Sequence, residues 1–571
     1  MAVPARQSTP DLAKHKTTGW LLPLILLACG IFLYLQVFVL PATPRVASGD
    51  QAIYLHHATR MLDGQLIYRD YDHFTLPGTD VLYAALFKLF GVRAWIPQAM
   101  LILIGVVAVW LSIRISRALL AGGLPGKQIL LPGFLFLMLP FTGYLDATHH
   151  WYSALAGMAA LAVAIERRSA ARIAWAGTLW GLATCFSQSM VLGTLGFSLF
   201  LLWEARRNNE SWSLLLKKEA GLLGSFVAIV VAFNLYFLWK VGVRRFFYYT
   251  VIFVAKYYSA DRFNTWRVYL HEWPSIHSWP NWVDLAAWPF IHILVPWLYI
   301  VFFLYYRSAA RSRPKLPWER LMLVNITGLS LFLAVASAPA YNRLYTVSLP
   351  GIILLVWFTD SSVWAGKVLS PILWTAVLVL GVAKPIVTQT RWKAFLDLPS
   401  GRTVFFQPSV YEKTKWVAER TEPSEYFFGD PLLCFELWLR NPTRVPFLRP
   451  TDYTRPEEVR NVVESLENHR VRFVSWYRGL DIPDGEGNHL APINLYLRSH
   501  YHVVETFANG DKIWERDDVT GPSPSFDDFR SDPRSDGFER RKCTGNDAES
   551  LGYSQLYFVD AVCVTVFFPL R

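Results

Sequence analysis

The chain has 571 residues, 53% of them apolar and 15% aromatic, with 55 basic and 44 acidic side chains and a formal net charge of +11. Charge is unevenly placed: residues 1–387 hold 48 Asp, Glu, Lys and Arg, about one in eight, whereas residues 388–571 hold 51, more than one in four. Soluble domains carry roughly a quarter charged residues, so the first part is excluded as a string of soluble domains and reads as a membrane domain followed by a polar one.

In chain order, residues 1–19 are polar and are expected in the cytoplasm. The apolar stretch Trp20–Pro41 is long enough to span a bilayer and lacks a small-residue cleavage site after it, so it is expected to be a first transmembrane helix and signal anchor. Ten further apolar runs follow, at about 97–118, 129–145, 150–165, 173–187, 188–204, 219–240, 284–305, 320–337, 344–359 and 368–387. The fold expected is a polytopic α-helical membrane protein of about 11 transmembrane helices over residues 20–387. Val81–Phe90 is apolar but too short to span and is expected along the interface.

Basic residues support one orientation. Arg114, Arg117 and Lys127, then Arg167, Arg168 and Arg172, then Arg206, Arg207, Lys217 and Lys218, then Arg307, Arg311, Arg313 and Lys315 fall in alternate loops. The positive-inside rule puts those loops and the N-terminus in the cytoplasm. An odd number of spans then places residues 388–571 outside, together with a long loop at 42–96 and an aromatic loop at 241–283. The basic excess belongs to membrane loops, so nucleic acid is not the expected partner.

Beyond residue 388, helix-like stretches (Tyr411–Glu419, Glu457–Asn468) alternate with strand-like ones (Val471–Trp476, His502–Phe507, Lys512–Glu515), as in a small α/β domain over 388–519. Residues 520–571 lose periodicity and are expected to be disordered, although Leu556–Leu570 is apolar again. Cysteine spacing offers no zinc or redox motif; Cys543 and Cys563 would pair only if their side of the membrane is oxidising.

The loop at 42–96 is the most informative segment. Ser48-Gly49-Asp50-Gln51 opens an amphipathic helix that Gly64 should end, and Tyr68-Arg69-Asp70-Tyr71-Asp72 and Leu76-Pro77-Gly78 follow. Read locally, Asp50 is a helix cap. The acid beyond the first helix, the spacing to Gly64, Tyr68-Arg69-Asp70 and Pro77-Gly78, and the topology together resemble the GT-C glycosyltransferases. The likeness is to the branch of protein O-mannosyltransferases and lipid A aminoarabinose transferases. Two family features are altered: the second of two adjacent acids is Gln51, and the family's Lys-Pro-Pro is reduced to Thr75-Leu76-Pro77.

The resemblance implies an inverting transferase that moves a sugar from a polyprenyl-phosphate donor to a glycan, lipid or protein acceptor. It implies action on the extracytoplasmic face of a membrane, the bacterial inner membrane being the expected one. Asp50 is then the candidate general base. A leaving phosphate needs counter-charge, which an arginine fork supplies well. Arg343, with Tyr345 beside it, is the first candidate, and Lys256, Arg262 and Arg69 are others. Arg343 could equally snorkel at the interface. Asp70, Asp72, Asp146, His149 and His150 are candidate acceptor-side or supporting residues. Adjacent histidines on a helix point about 100° apart; one could join Asp50 or Asp146 around a divalent ion, but no ligand spacing demands a metal, and a supporting role is favoured. A transporter or lipid flippase, or an inactive scaffold, are the competing classes. Charges gather at span ends rather than mid-span and no repeat stands out, which favours an interfacial site.

Overall fold

The computed structural model describes residues 20–47, 49–119, 126–258, 264, 289–336, 341–361, 363–451, 453–481, 488–518, 556–559 and 562–565. Each of the eleven apolar segments carries a helix: Leu21–Val37, Trp95–Leu119, Leu131–Phe141, His149–Ala164, Ala170–Phe186, Val191–Arg207, Trp212–Val241, Phe290–Ala309, Trp318–Val335, Leu349–Ser361 and Val363–Thr390. By length and composition, five helices can cross a membrane: Trp95–Leu119, Trp212–Val241, Phe290–Ala309, Trp318–Val335 and a fifth ending at Thr390. Leu21–Val37, Leu131–Phe141 and Leu349–Ser361 are apolar but shorter. Trp212–Val241 leaves Leu216, Val227, Leu235 and Trp239 exposed, a face that water would penalise and lipid satisfies.

These helices share one large apolar core, in which Ala170–Phe186 packs between His149–Ala164 and Trp212–Val241, and Leu21–Val37 packs on Trp95–Leu119. The first long loop folds onto it as two amphipathic helices, Gly49–Leu62 and Gly78–Phe90. The first stops at Gly64, whose φ of +84° suits a residue without Cβ. The second begins against Cys185, where a Cβ on Gly78 would come within 2.5 Å of the Cys185 carbonyl oxygen. At 13 residues it is too short to span.

The segment from 394 to 516 is built around two sheets. Ala394–Leu398 and Gly401–Phe405 form an antiparallel hairpin. A four-stranded sheet runs in the order Phe427–Phe428, Phe473–Trp476, Lys512–Arg516, Tyr501–Thr506; its first pair is parallel and the others antiparallel. The helix Pro456–Asn468 buries Val459, Val462 and Leu466, the i, i+3, i+7 stripe of an amphipathic helix, with Val474 in the same cluster. The hairpin grips the first long loop at both ends: Val46 N–H donates to the Val404 carbonyl (3.0 Å) and Ala94 N–H to that of Ser400 (3.0 Å).

Within the tail expected to be disordered, Leu556–Val559 and Val562–Thr565 pair as an antiparallel hairpin, in keeping with the β-propensity of their Val, Phe, Tyr and Thr residues. Cys543 and Arg262 lie outside the described residues.

Candidate functional site

The loop between residues 63 and 77 is wound tightly enough to separate neighbouring side chains. Tyr68 has a left-handed φ of +67°, a conformation costly for a bulky residue and held by its surroundings. Its ring is buried against Phe246 and Tyr249, and its hydroxyl donates to the Thr75 carbonyl. Just beyond it, Arg69 and Asp70 turn outward as an ion pair (2.7 Å), with Asp70 also accepting the Leu66 N–H. Asp72 turns the other way. It binds Arg444 Nη2 at 2.7 Å and accepts from the Tyr249 hydroxyl, which ties this loop to the C-terminal region.

Asp50 lies in the first turn of Gly49–Leu62. The backbone N–H of Gln51 donates to Asp146 Oδ1 (3.1 Å), so a carboxylate 95 residues away takes one of the orphan donors of that helix start. Burial, with the nearby charge of Asp50 next in importance, holds the Asp146 carboxyl well above the usual range. Tyr54, one turn after Asp50, bonds His149 Nδ1 (2.7 Å) and Thr75 Oγ1 (3.2 Å), and Thr75 Oγ1 in turn meets His73 Nε2. Burial, then Asp80 and Asp50, push the Tyr54 hydroxyl up, so it stays neutral. The His149 and His150 rings lie 3.8 Å apart between centroids.

These elements enclose an open cleft of about 510 Å³, counting its solvent-continuous mouth. The first loop contributes Asp50, Ile53, Tyr54, Asp72, His73 and Phe74; His149, Tyr258 and Arg343 come from the membrane domain. Pro446, Phe447, Arg449 and Tyr453 close it from the C-terminal region. Arg343 is buried, with its two Nη atoms each 3.4 Å from Asn264 Oδ1 and its guanidinium carbon 5.6 Å from the Tyr258 ring centre. Arg449 lies 5.0 Å from the Tyr453 ring centre. One wall of the cleft is thus acidic and another cationic and aromatic.

Of the residues proposed from sequence, the fold brings Asp50, Asp72, His149 and Arg343 to one cleft, with Asp146 and His150 buried behind it. Tyr345 is buried against His292 and Gly143, away from the lining. Lys256 is exposed beside the Tyr257 ring, and Arg69 is engaged by Asp70. Sequence reasoning missed Tyr54, His73, Tyr258 and the arm Pro446–Tyr453. It also missed a group of three metal-ligating side chains, His57, His73 and Asp80, all buried. Burial pushes the Asp80 carboxyl up to about 6 and the His73 imidazole down to about 4. Tyr54 was legible as a site residue only through its i, i+4 relation to Asp50; the others have no local signal.

No protein-family model matches the chain, and no curated protein matches it. Solved structures do. ArnT from Cupriavidus metallidurans bound to undecaprenyl phosphate superposes with a TM-score of 0.56 at 14% identity, over 89% of this chain and 100% of that one. The same protein in the apo state gives 0.51 at 14% identity, over 87% and 98%. The archaeal oligosaccharyltransferase AglB from Archaeoglobus fulgidus is a weaker likeness, 0.46 at 12% identity over 88% and 75%. With nearly the whole of both chains aligned in the two ArnT comparisons, the protein shares the overall fold of ArnT.

Proposed function

We propose that this protein transfers a glycosyl group from a polyprenyl-phosphate donor to an acceptor on the extracytoplasmic face of a membrane, with inversion. The observation that carries this reading is the meeting of Asp50 and Arg343, 293 residues apart in sequence, on one cleft. The ArnT fold supports it, since that protein was captured with undecaprenyl phosphate.

In this reading the lipid phosphate lies toward Arg343 and the aromatic ring of Tyr258, and the acceptor enters near Asp50. Asp50 removes the proton of the acceptor nucleophile as its lone pair forms the new bond to the anomeric carbon. The bond from that carbon to the phosphate oxygen breaks, and its electron pair leaves on the lipid phosphate. Arg343 stabilises that growing charge through charge-assisted hydrogen bonds, which a partly desolvated cleft strengthens. Arg449, which also lines the cleft, adds positive potential. Asp146 holds the start of the Asp50 helix through the Gln51 N–H, which fixes where the base points.

The test is transfer by protein in nanodiscs, offered a panel of polyprenyl-phosphate sugars. Asn keeps the size and hydrogen-bonding capacity of Asp50 but not its basicity. Turnover by Asp50→Asn should fall at least about 100-fold with the protein folded and donor affinity kept, whereas Asp63→Asn, on the exposed end of the same segment, should change it little. Near-normal turnover by folded Asp50→Asn would reject the base. Donor translocation without transfer would point instead to a flippase.

A further inference from the structure

Next to the cleft, which His73 lines, lies a buried constellation that the transfer reading does not use. His57 comes from the helix Gly49–Leu62, His73 from the loop after it, and Asp80 from the first turn of Gly78–Phe90. Their side chains are 0%, 6% and 0% exposed. His57 Nδ1 is 3.1 Å from Asp80 Oδ1, and His73 Nε2 is 3.6 Å from Asp80 Oδ2. All three potential ligand atoms lie within 4.8 Å of one another.

We propose that His57, His73 and Asp80 form a binding site for one divalent first-row transition ion, of which Zn²⁺ is the representative. Two features separate this from an ordinary His–Asp hydrogen bond. The first is polar accounting. Asp80 Oδ2 is fully buried and has no hydrogen-bond partner, a state that costs free energy unless something else satisfies the group. The second is spacing. His73 Nε2 is too far from Asp80 Oδ2 for a hydrogen bond, yet two ligands about 2.0–2.1 Å from a tetrahedral ion lie roughly 3.3 Å apart. The two histidine nitrogens approach the Asp80 carboxylate to 3.1 Å at Oδ1 and 3.6 Å at Oδ2, on either side of that value. Within the 4.8 Å spread of the three ligand atoms the widest edge needs to close by at most about 1.5 Å.

The donor set sets the class of ion. Two imidazole nitrogens and one carboxylate suit zinc or its first-row neighbours, whereas magnesium and calcium prefer all-oxygen sites. On binding, His73 exchanges its contact with Thr75 for the ion, and the Thr75 hydroxyl keeps its bond to Tyr54. The ion would then cross-link both amphipathic helices and the loop between them, with the His73 ring 5.3 Å from that of Tyr54 between centroids. It serves here as a clamp beside the cleft and takes no part in bond making.

The experiment uses the full chain in detergent, stripped with a chelator and then titrated with Zn²⁺ and, separately, Co²⁺. Wild type should bind one equivalent tightly by competition titration and elemental analysis, give a Co²⁺ d–d spectrum of nitrogen and oxygen ligation, and melt higher with metal than without. His57→Gln and Asp80→Asn should each weaken affinity by at least about 100-fold, more than loss of a supporting partner costs. His502→Gln, at an exposed histidine paired with Asp517, should leave it unchanged. A wild-type protein without one tight equivalent overturns the site whether or not the variants fold. So does one whose single equivalent survives in folded His57→Gln and Asp80→Asn. Transfer activity enters none of these readouts, so the outcome is independent of the reading of Asp50.

Discussion

Arg343→Ala is the sharpest probe of the donor end of the cleft. The side chain is 4% exposed and held between Asn264 Oδ1 and the Tyr258 ring, so little rotamer entropy remains to be lost when a phosphate arrives. A hydrogen bond to a charged group contributes roughly 1.5–3 kcal/mol. At about 1.4 kcal/mol per tenfold, removing one such contact should weaken polyprenyl-phosphate binding roughly 10- to 150-fold. Lysine keeps the charge but loses the planar fork and the stacking on Tyr258, so Arg343→Lys should fall between wild type and Arg343→Ala. Asn264→Ala, which frees the guanidinium from one holding contact, should cost less than either. The assay is binding of a short-chain polyprenyl phosphate to nanodisc-embedded protein, at two ionic strengths, with thermal melting as the fold control. A buried contact is screened less than a surface one, so the difference between wild type and Arg343→Ala should persist at high salt. Equal affinity in wild type and folded Arg343→Ala would remove Arg343 from the site and leave its burial as a packing feature.

Three other outcomes test the surroundings of the site. Cysteines placed at Asp63 and at Arg313 should be labelled from opposite sides of intact cells, 63 from outside and 313 only after permeabilisation; the reverse pattern would invert the topology. Glu436 is fully buried, accepts from the Ser400 and Thr403 hydroxyls, and is pushed by burial up to about 7 from 4.5. The folded state therefore holds a proton that the unfolded chain has released, so stability should fall as pH rises from about 4.5 to 7, by up to about 3 kcal/mol. Glu436→Gln should flatten that slope in denaturant titrations across the same range, and an unchanged slope would contradict the assignment. Gly78→Ala puts a Cβ within 2.5 Å of the Cys185 carbonyl oxygen; the helix must shift, which should cost about 1–3 kcal/mol and lower the melting temperature, with no change expected if that contact relaxes freely.

What the sequence determined by itself was the set of elements. Each of the eleven apolar runs carries a helix, and five helices among the described residues are long and apolar enough to cross a membrane, because an apolar stretch out of water must satisfy its backbone within itself. Gly64 ended the Asp50 helix because a residue without Cβ takes the left-handed turn cheaply. Val81–Phe90 was too short to span for the same length reason. Those are local consequences of composition and period; it was the resemblance to the GT-C glycosyltransferases that singled out Asp50 and Arg343. Tertiary structure decided which of the neighbouring charges work together. Arg69, Asp70 and Asp72 are nearly contiguous, yet the left-handed turn at Tyr68 pairs the first two with each other and sends the third into the cleft. Asp146 reaches the helix start beside Gln51 only because the Leu131–Phe141 and His149–Ala164 helices bring it there. The arm Pro446–Tyr453 closes the cleft through Arg444 and Asp72, 372 residues apart. His57, His73 and Asp80 lie on one helix, the loop after it and a second helix, so no single element's period brings them together and their meeting depends on how two short helices fold back on each other. Period and composition fix what a segment can bury; which distant segment completes its polar groups is decided only when the chain packs.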